Sequence, residues 1–247
     1  MASNHSGGSE PPTLALPGVH PSPNIQKAPD VYERENRAVD PGGKIEAAMA
    51  AAAPWDGKVL LDLGAGTGYH LPRFHETAAH VIAVEPHGPS RVRAMARVAA
   101  LGLERVSVTT GSAERLLLPD ASIDVVHARF AYFFGPGCEP GLAELARVIR
   151  PCGAAFMIDN DLRTGTFASW LRRSPDWANA DPDEIEGFWA GRGFDLTRIA
   201  SEWRFERRED LDAVVRLEFP PDLAATILME HPGTSVDYHY ALYHRRY

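Results

Sequence analysis

At 247 residues, with 45% hydrophobic and 23% charged side chains, the chain can bury one sizeable α/β core, and a single domain is expected. Its 33 acidic against 25 basic residues leave a net charge of −8, which offers no cationic field to gather phosphate backbones and disfavours nucleic acid as a partner. Two cysteines, no apolar run near the roughly twenty residues that span a bilayer and no charged-then-apolar leader argue against a disulfide framework and a membrane anchor, so a cytoplasmic protein is expected.

Residues 1–30 are rich in Ser, Gly and Pro, and Pro11, Pro12, Pro17, Pro21, Pro23 and Pro29 interrupt any helix, which predicts a flexible tail ahead of a folded domain over 31–247. Residues 31–54 turn helical, broken at Pro41-Gly42-Gly43, and 45–52 is a run of strong helix formers. Next comes Val59-Leu60-Leu61-Asp62-Leu63, the near-continuous apolar run of a strand buried on both faces. Gly64, Gly66 and Gly68 follow, letting the backbone turn sharply and come close to a ligand. A helix over 69–77 then leads to a second strand, 80–84, that stops at Glu85. A carboxylate delivered beside a glycine turn can accept two hydrogen bonds from a ribose diol, so this unit reads as a nucleotide-type cofactor site. The alternative is a tight strand-to-helix turn that binds nothing.

Further along, Val106–Thr109 reads as a third strand, the run from Asp124 as a fourth and 154–158 as a fifth. An insertion-like stretch over 160–193 carries Phe167, Trp170, Trp177, Phe188 and Trp189. Such clusters are more often core than substrate box, yet the minimal fold does not need this segment, so part of the cluster is expected to roof a substrate pocket. Residues 195–205 and 236–246 alternate as strands, with helices over 208–217 and 221–230 between them.

The spacing of the glycines narrows the cofactor. A dinucleotide fingerprint is G-x-G-x-x-G, whereas Asp62-x-Gly64-x-Gly66-x-Gly68 resembles motif I of the class I S-adenosylmethionine (SAM) methyltransferases. The segment from Gly111-Ser112-Ala113 through Leu118-Pro119-Asp120-Ala121-Ser122-Ile123-Asp124-Val125-Val126 is similar to a stretch of the group that includes the ubiquinone/menaquinone C-methyltransferases. So is Glu144-Leu145-Ala146-Arg147-Val148-Ile149-Arg150-Pro151-Cys152-Gly153. The resemblance covers about residues 55–160. It implies an α/β, Rossmann-like doubly wound seven-stranded sheet, mostly parallel with an antiparallel seventh strand. It also implies SAM as cofactor, held by Asp62, Gly64, Ala65, Gly66, Gly68, Glu85, Pro86, Ser112 and Ala113. Ser112 stands where the group commonly has an Asp that receives the adenine amino group, and Cys152 replaces a glycine at a turn that should therefore not need positive φ. By position, 31–54 is similar to the segment that lids the cofactor in many members, with Tyr32, Asn36 and Arg37 as lid candidates; a helix that merely covers the sheet edge is the other reading.

Chemistry is expected beyond the end of the fourth strand, where the chain reads His127-Ala128-Arg129-Phe130-Ala131-Tyr132. His127 is the candidate general base, its ordinary pKa being the nearest to neutrality, or else a strand histidine bonded locally. Arg129 is a candidate partner for the cofactor carboxylate or an acidic substrate. Tyr132, Tyr238 and Tyr240 are candidate pocket hydroxyls, Tyr132 the catalytic one. His70, His75, His80 and His87 do not converge with metal-ligand spacing, so no metal is expected. The resulting expectation is SAM-dependent methyl transfer to a small molecule by a monomer or homodimer, without nucleic acid or membrane partners. A SAM-binding regulator or partner subunit and an NAD-dependent oxidoreductase are the alternatives.

Overall fold

Leu60, Leu61 and Leu63 of β1 (Val59–Leu63) are all buried, on alternate faces of the strand, as the middle of a parallel sheet requires. The computed structural model describes Val19, residues 21–131 and residues 137–247. The remaining strands are β2 (His80–Val84), β3 (Val106–Thr109), β4 (Ile123–Arg129), β5 (Ile149–Asn160), β6 (Asp195–Arg204) and β7 (Ser235–Arg246). They form one sheet in the order β3-β2-β1-β4-β5-β7-β6, with β7 antiparallel to both neighbours. This is the doubly wound, seven-stranded arrangement expected. After β3 the chain returns to the other side of β1, so a crevice opens beyond the carboxyl ends of β1 and β4.

The helices are α1 (Pro23–Lys27), α2 (Pro29–Ala38), α3 (Lys44–Ala52), α4 (Leu71–His75), α5 (Gly88–Ala100), α6 (Glu139–Val148), α7 (Gly165–Leu171), α8 (Pro182–Ala190), α9 (Arg208–Glu218) and α10 (Pro221–Glu230). The expected tail to residue 30 is corrected at its end, because prolines 23 and 29 open helices α1 and α2, where a missing N–H costs nothing, instead of interrupting them. Residues 1–18 lie outside the described residues. Gly43, at φ +64, starts α3, whose Ile45 and Met49 are fully buried. The helix expected over 69–77 is the single turn α4.

Two further expectations need correcting. The first concerns the aromatics of 160–193, of which Phe167, Trp170 and Trp189 are core residues that line no part of the cavity over the glycine loop. Phe167 stacks on Tyr238 at 4.0 Å and lies 4.6 Å from Trp203, Trp170 packs against Phe219, and Trp189 stacks on Tyr243. Phe167, Trp170 and Trp189 are each at most 4% exposed. Two long antiparallel strands need large side chains on both faces, and this segment supplies them. The second is Cys152, whose φ is +67. Its N–H donates to the Tyr247 carbonyl at 2.8 Å and the Tyr247 N–H donates to the Gly153 carbonyl at 3.0 Å, a pairing that holds a non-glycine residue in the left-handed region against a cost of about 1–2 kcal/mol.

Candidate cofactor site

Gly64, Gly66 and Gly68 have φ values of +73, +57 and +77. Side chains would be strained there, and they would also collide: a Cβ at Gly64 would overlap Ala131, one at Gly66 would come within 2.8 Å of Ile25, and one at Gly68 within 2.8 Å of Leu71. The turn is pinned to β2 by the Gly64 N–H, which donates to the Val84 carbonyl at 2.8 Å. Glu85, at the end of β2, accepts from the Gly66 N–H at 2.8 Å and the His87 N–H at 2.7 Å, one bond to each oxygen. Burial pushes its carboxyl above the ordinary value, while these two bonds and Arg91 pull it back. Each oxygen keeps a second lone pair, enough for two hydroxyls.

A cavity of about 510 Å³ opens over this loop, within the usual range for a small-molecule site. Gly64, Ala65, Gly66, Glu85, Pro86, Ser112, Ala113 and Arg129, all cofactor-site candidates in the sequence, line it. Asp62 and Gly68 do not. Asp62 is buried under the loop and Gly68 packs inward against Leu71 and Ala94, so both shape the turn. Tyr32 and Asn36 of α2 line the cavity, as lid candidates should, whereas Arg37 is exposed and does not.

His127 is corrected as a general base. It is one strand pleat deeper than Arg129, 2% exposed, with Nδ1 2.8 Å from Asp62 Oδ1 and its ring 4.9 Å from that of Phe74. The β1–β4 register sets Asp62 directly opposite it, so the pair ties the two strands together beneath the loop rather than facing a ligand. Tyr132 lies outside the described residues. Tyr238 and Tyr240 are buried in the core and do not line the cavity.

Several lining residues escaped the sequence reading: Ile25 and Gln26 of α1, Glu35 of α2, His70, and Phe130 after β4. For His70, burial and then Arg129 hold the pKa well below the ordinary value, so it is neutral. Arg129 sits 3.8 Å from Glu46, which also takes a 2.6 Å bond from Arg73. Its buried Nη2 has no partner among the described residues. A buried guanidinium with an idle donor suits an incoming carboxylate. Together with the close-approach glycines and the diol-ready Glu85, it matches the amino-acid and ribose ends of SAM.

Residues 60–153 match the model of the methyltransferase domain family. Over that span the chain is similar to a methyltransferase domain. An uncharacterised methyltransferase of Mycobacterium tuberculosis is 33% identical over 158 residues, covering 62% of this chain and 58% of that protein. The cypemycin N-terminal methyltransferase of a Streptomyces species is 31% identical over 141 residues, 56% of each chain. A ubiquinone/menaquinone biosynthesis C-methyltransferase of Rubrivivax gelatinosus is 33% identical over 121 residues, 49% of this chain and 45% of that one. The chain thus spans less than two thirds of these relatives' length. The methyltransferase fold is also that of the YcgJ protein of Bacillus subtilis, with a TM-score of 0.59 at 19% identity, over 81% of this chain and 96% of that one. A SAM-dependent methyltransferase of Aquifex aeolicus gives 0.58 at 16% identity, over 87% and 96%.

Proposed function

We propose that the chain transfers the methyl group of SAM to a small-molecule acceptor. One observation carries this reading: the glycine turn, Glu85 and the idle donor of Arg129 converge on one cavity at the sheet's switch point, while Glu35, Tyr32 and Phe130 leave it a second wall for an acceptor. SAM brings an electrophilic methyl group on a sulfonium. The protein's share is to hold the ribose with Glu85 and the amino-acid carboxylate with Arg129, and to keep the loop rigid through the Asp62–His127 pair. Alignment of two bound reactants supplies up to about 7–11 kcal/mol, so the reaction does not depend on His127 reaching the acceptor.

The net charge of −8 favours a small metabolite over nucleic acid. We place the activity in the cytoplasm on the two-cysteine composition, with the chain acting as a monomer or homodimer. Among the described residues, no helix is long and apolar enough to cross a membrane.

Isothermal titration with SAM, S-adenosylhomocysteine and NADH tests the cofactor: the first two should bind at micromolar levels and NADH should not. Transfer of label from methyl-labelled SAM to a metabolite extract tests the reaction. Tight SAM binding without transfer to any extract would point instead to a SAM-binding regulator.

A further inference from the structure

Glu35 is 7% exposed, lines the cavity, and leaves Oε2 without a partner among the described residues. Its neighbour from α9 is Glu218, itself anchored by Asn24 Nδ2 of α1 at 2.6 Å. A side-chain hydrogen bond joins the buried Glu35 to the half-buried Glu218, and two carboxyl groups so close do not both carry charge readily unless a cation joins them. Burial and then Glu218 raise Glu35 well above the ordinary carboxyl value, with Arg129 of β4 opposing; burial pushes Glu218 up to about 7. The other ionisable groups facing the pair are Tyr32 of α2 and Tyr238 and Tyr240 of β7, each a phenol kept neutral chiefly by burial. Arg129 does not serve as the missing cation, since its side chain sits with Glu46 and its free donor is assigned to the SAM carboxylate.

We propose that the acceptor is an amine, that it enters as an ammonium ion against Glu35, and that the Glu35–Glu218 pair takes its proton. This rests on the methyl-transfer reading and names the substrate class and a catalytic residue for it. An ammonium ion supplies the cation that lets both carboxyls ionise, which a hydroxyl does not. The N–H bond breaks with the proton passing to Glu35 Oε2, and the freed nitrogen lone pair forms the N–C bond. The C–S bond breaks with its electron pair going to sulfur, leaving a methylammonium product and a neutral thioether. Burial holds both carboxyls above the ordinary carboxylate range, which makes the pair a better proton acceptor than a solvated carboxylate.

The test uses the full chain with SAM and two pools of equal size, one of primary and secondary aliphatic and aralkyl amines and one of the corresponding alcohols and phenols. Mass spectrometry should find methylated products in the amine pool alone. Glu35→Gln should lower that rate by about 100-fold or more while SAM affinity stays within about twofold of wild type. Carbon-13 NMR of glutamate carboxyls gives a readout without turnover: wild type should hold a protonated carboxyl at pH 6, and a reacting amine should ionise it. Glu218→Gln, which keeps Glu35 in place, should abolish the shared titration and serves if Glu35→Gln fails to fold. Methylation of the alcohol pool, methylation of neither pool, or two carboxyls already ionised at pH 6 would each overturn the proposal. Loss of SAM binding by the wild-type chain would instead overturn the methyl-transfer reading beneath it.

Discussion

Glu85 does two things at once, since its oxygens fix the glycine turn and keep spare lone pairs on the cavity side. Glu85→Ala therefore removes charged hydrogen bonds to the ribose and leaves the Gly66 and His87 N–H groups unmatched, and SAM affinity should fall by roughly 2–4 kcal/mol. Arg129→Met should cost about 1.5–3 kcal/mol, with the loss confined to ligands bearing a carboxylate. Calorimetric titration with SAM and with decarboxylated SAM reads both; equal losses for the two ligands in the Arg129 variant would remove its assignment. Asp159 gives a pH prediction of the opposite kind. Burial raises its carboxyl to about 6, against roughly 4 in an unfolded chain, so the native state holds more protons and loses stability as pH rises between those values. Asp159→Asn should raise the melting temperature at pH 8 and have little effect at pH 4; a gain at pH 4 alone would show the sign to be wrong.

Helices α1 and α2 form the wall of the cavity that the glycine loop cannot provide. Ile25 presses on Gly66, Thr67 Oγ1 donates to Glu33, and Arg97 and Arg93 of α5 pair with Glu33 and Asp30 at 2.8 and 2.7 Å. The exposed Arg93–Asp30 pair contributes little and the half-buried Arg97–Glu33 pair belongs to α2, so the contact of α1 depends on Ile25 and on the Asn24–Glu218 bond. Deleting residues 1–28 removes both. SAM affinity should drop by an amount of the order of burying one aliphatic side chain, roughly 1.5–3 kcal/mol, with far-ultraviolet circular dichroism near wild type. Unchanged affinity would mean that α1 covers the loop without touching the ligand. Proline composition suggested a tail here because interruption and helix initiation look alike in sequence; only the contacts of Ile25 and Asn24 distinguish them.

Across the molecule, the cofactor half and the antiparallel half have separate duties. The aromatic network around Phe167, Trp203 and Tyr238 closes the core beyond β5, and Trp189 with Tyr243 closes the opposite face. Phe167→Ala and Trp189→Ala should each destabilise the fold by about 3–5 kcal/mol in urea unfolding while the folded fraction binds SAM as wild type does. A large affinity loss at unchanged stability would return these side chains to the substrate pocket.

What the sequence determined by itself is local. Short β-branched and leucine-rich runs bounded by glycines read as buried strands, and three glycines in alternate positions after β1 read as a turn of positive φ, so β1 to β4, the order of the later elements and the glycine loop with Glu85 were legible from short stretches. Tertiary structure decided what depends on pairs distant in sequence. The β1–β4 register turned His127 toward Asp62 and away from the cavity, the Tyr247 pairing held Cys152 at positive φ, and β7 drew the aromatics of 160–193 inward. The packing of α2 against α9 brought Glu35 to Glu218. A side chain's chemistry follows from its own atoms, but its partner and its exposure are set by which surfaces meet, and no local pattern encodes that.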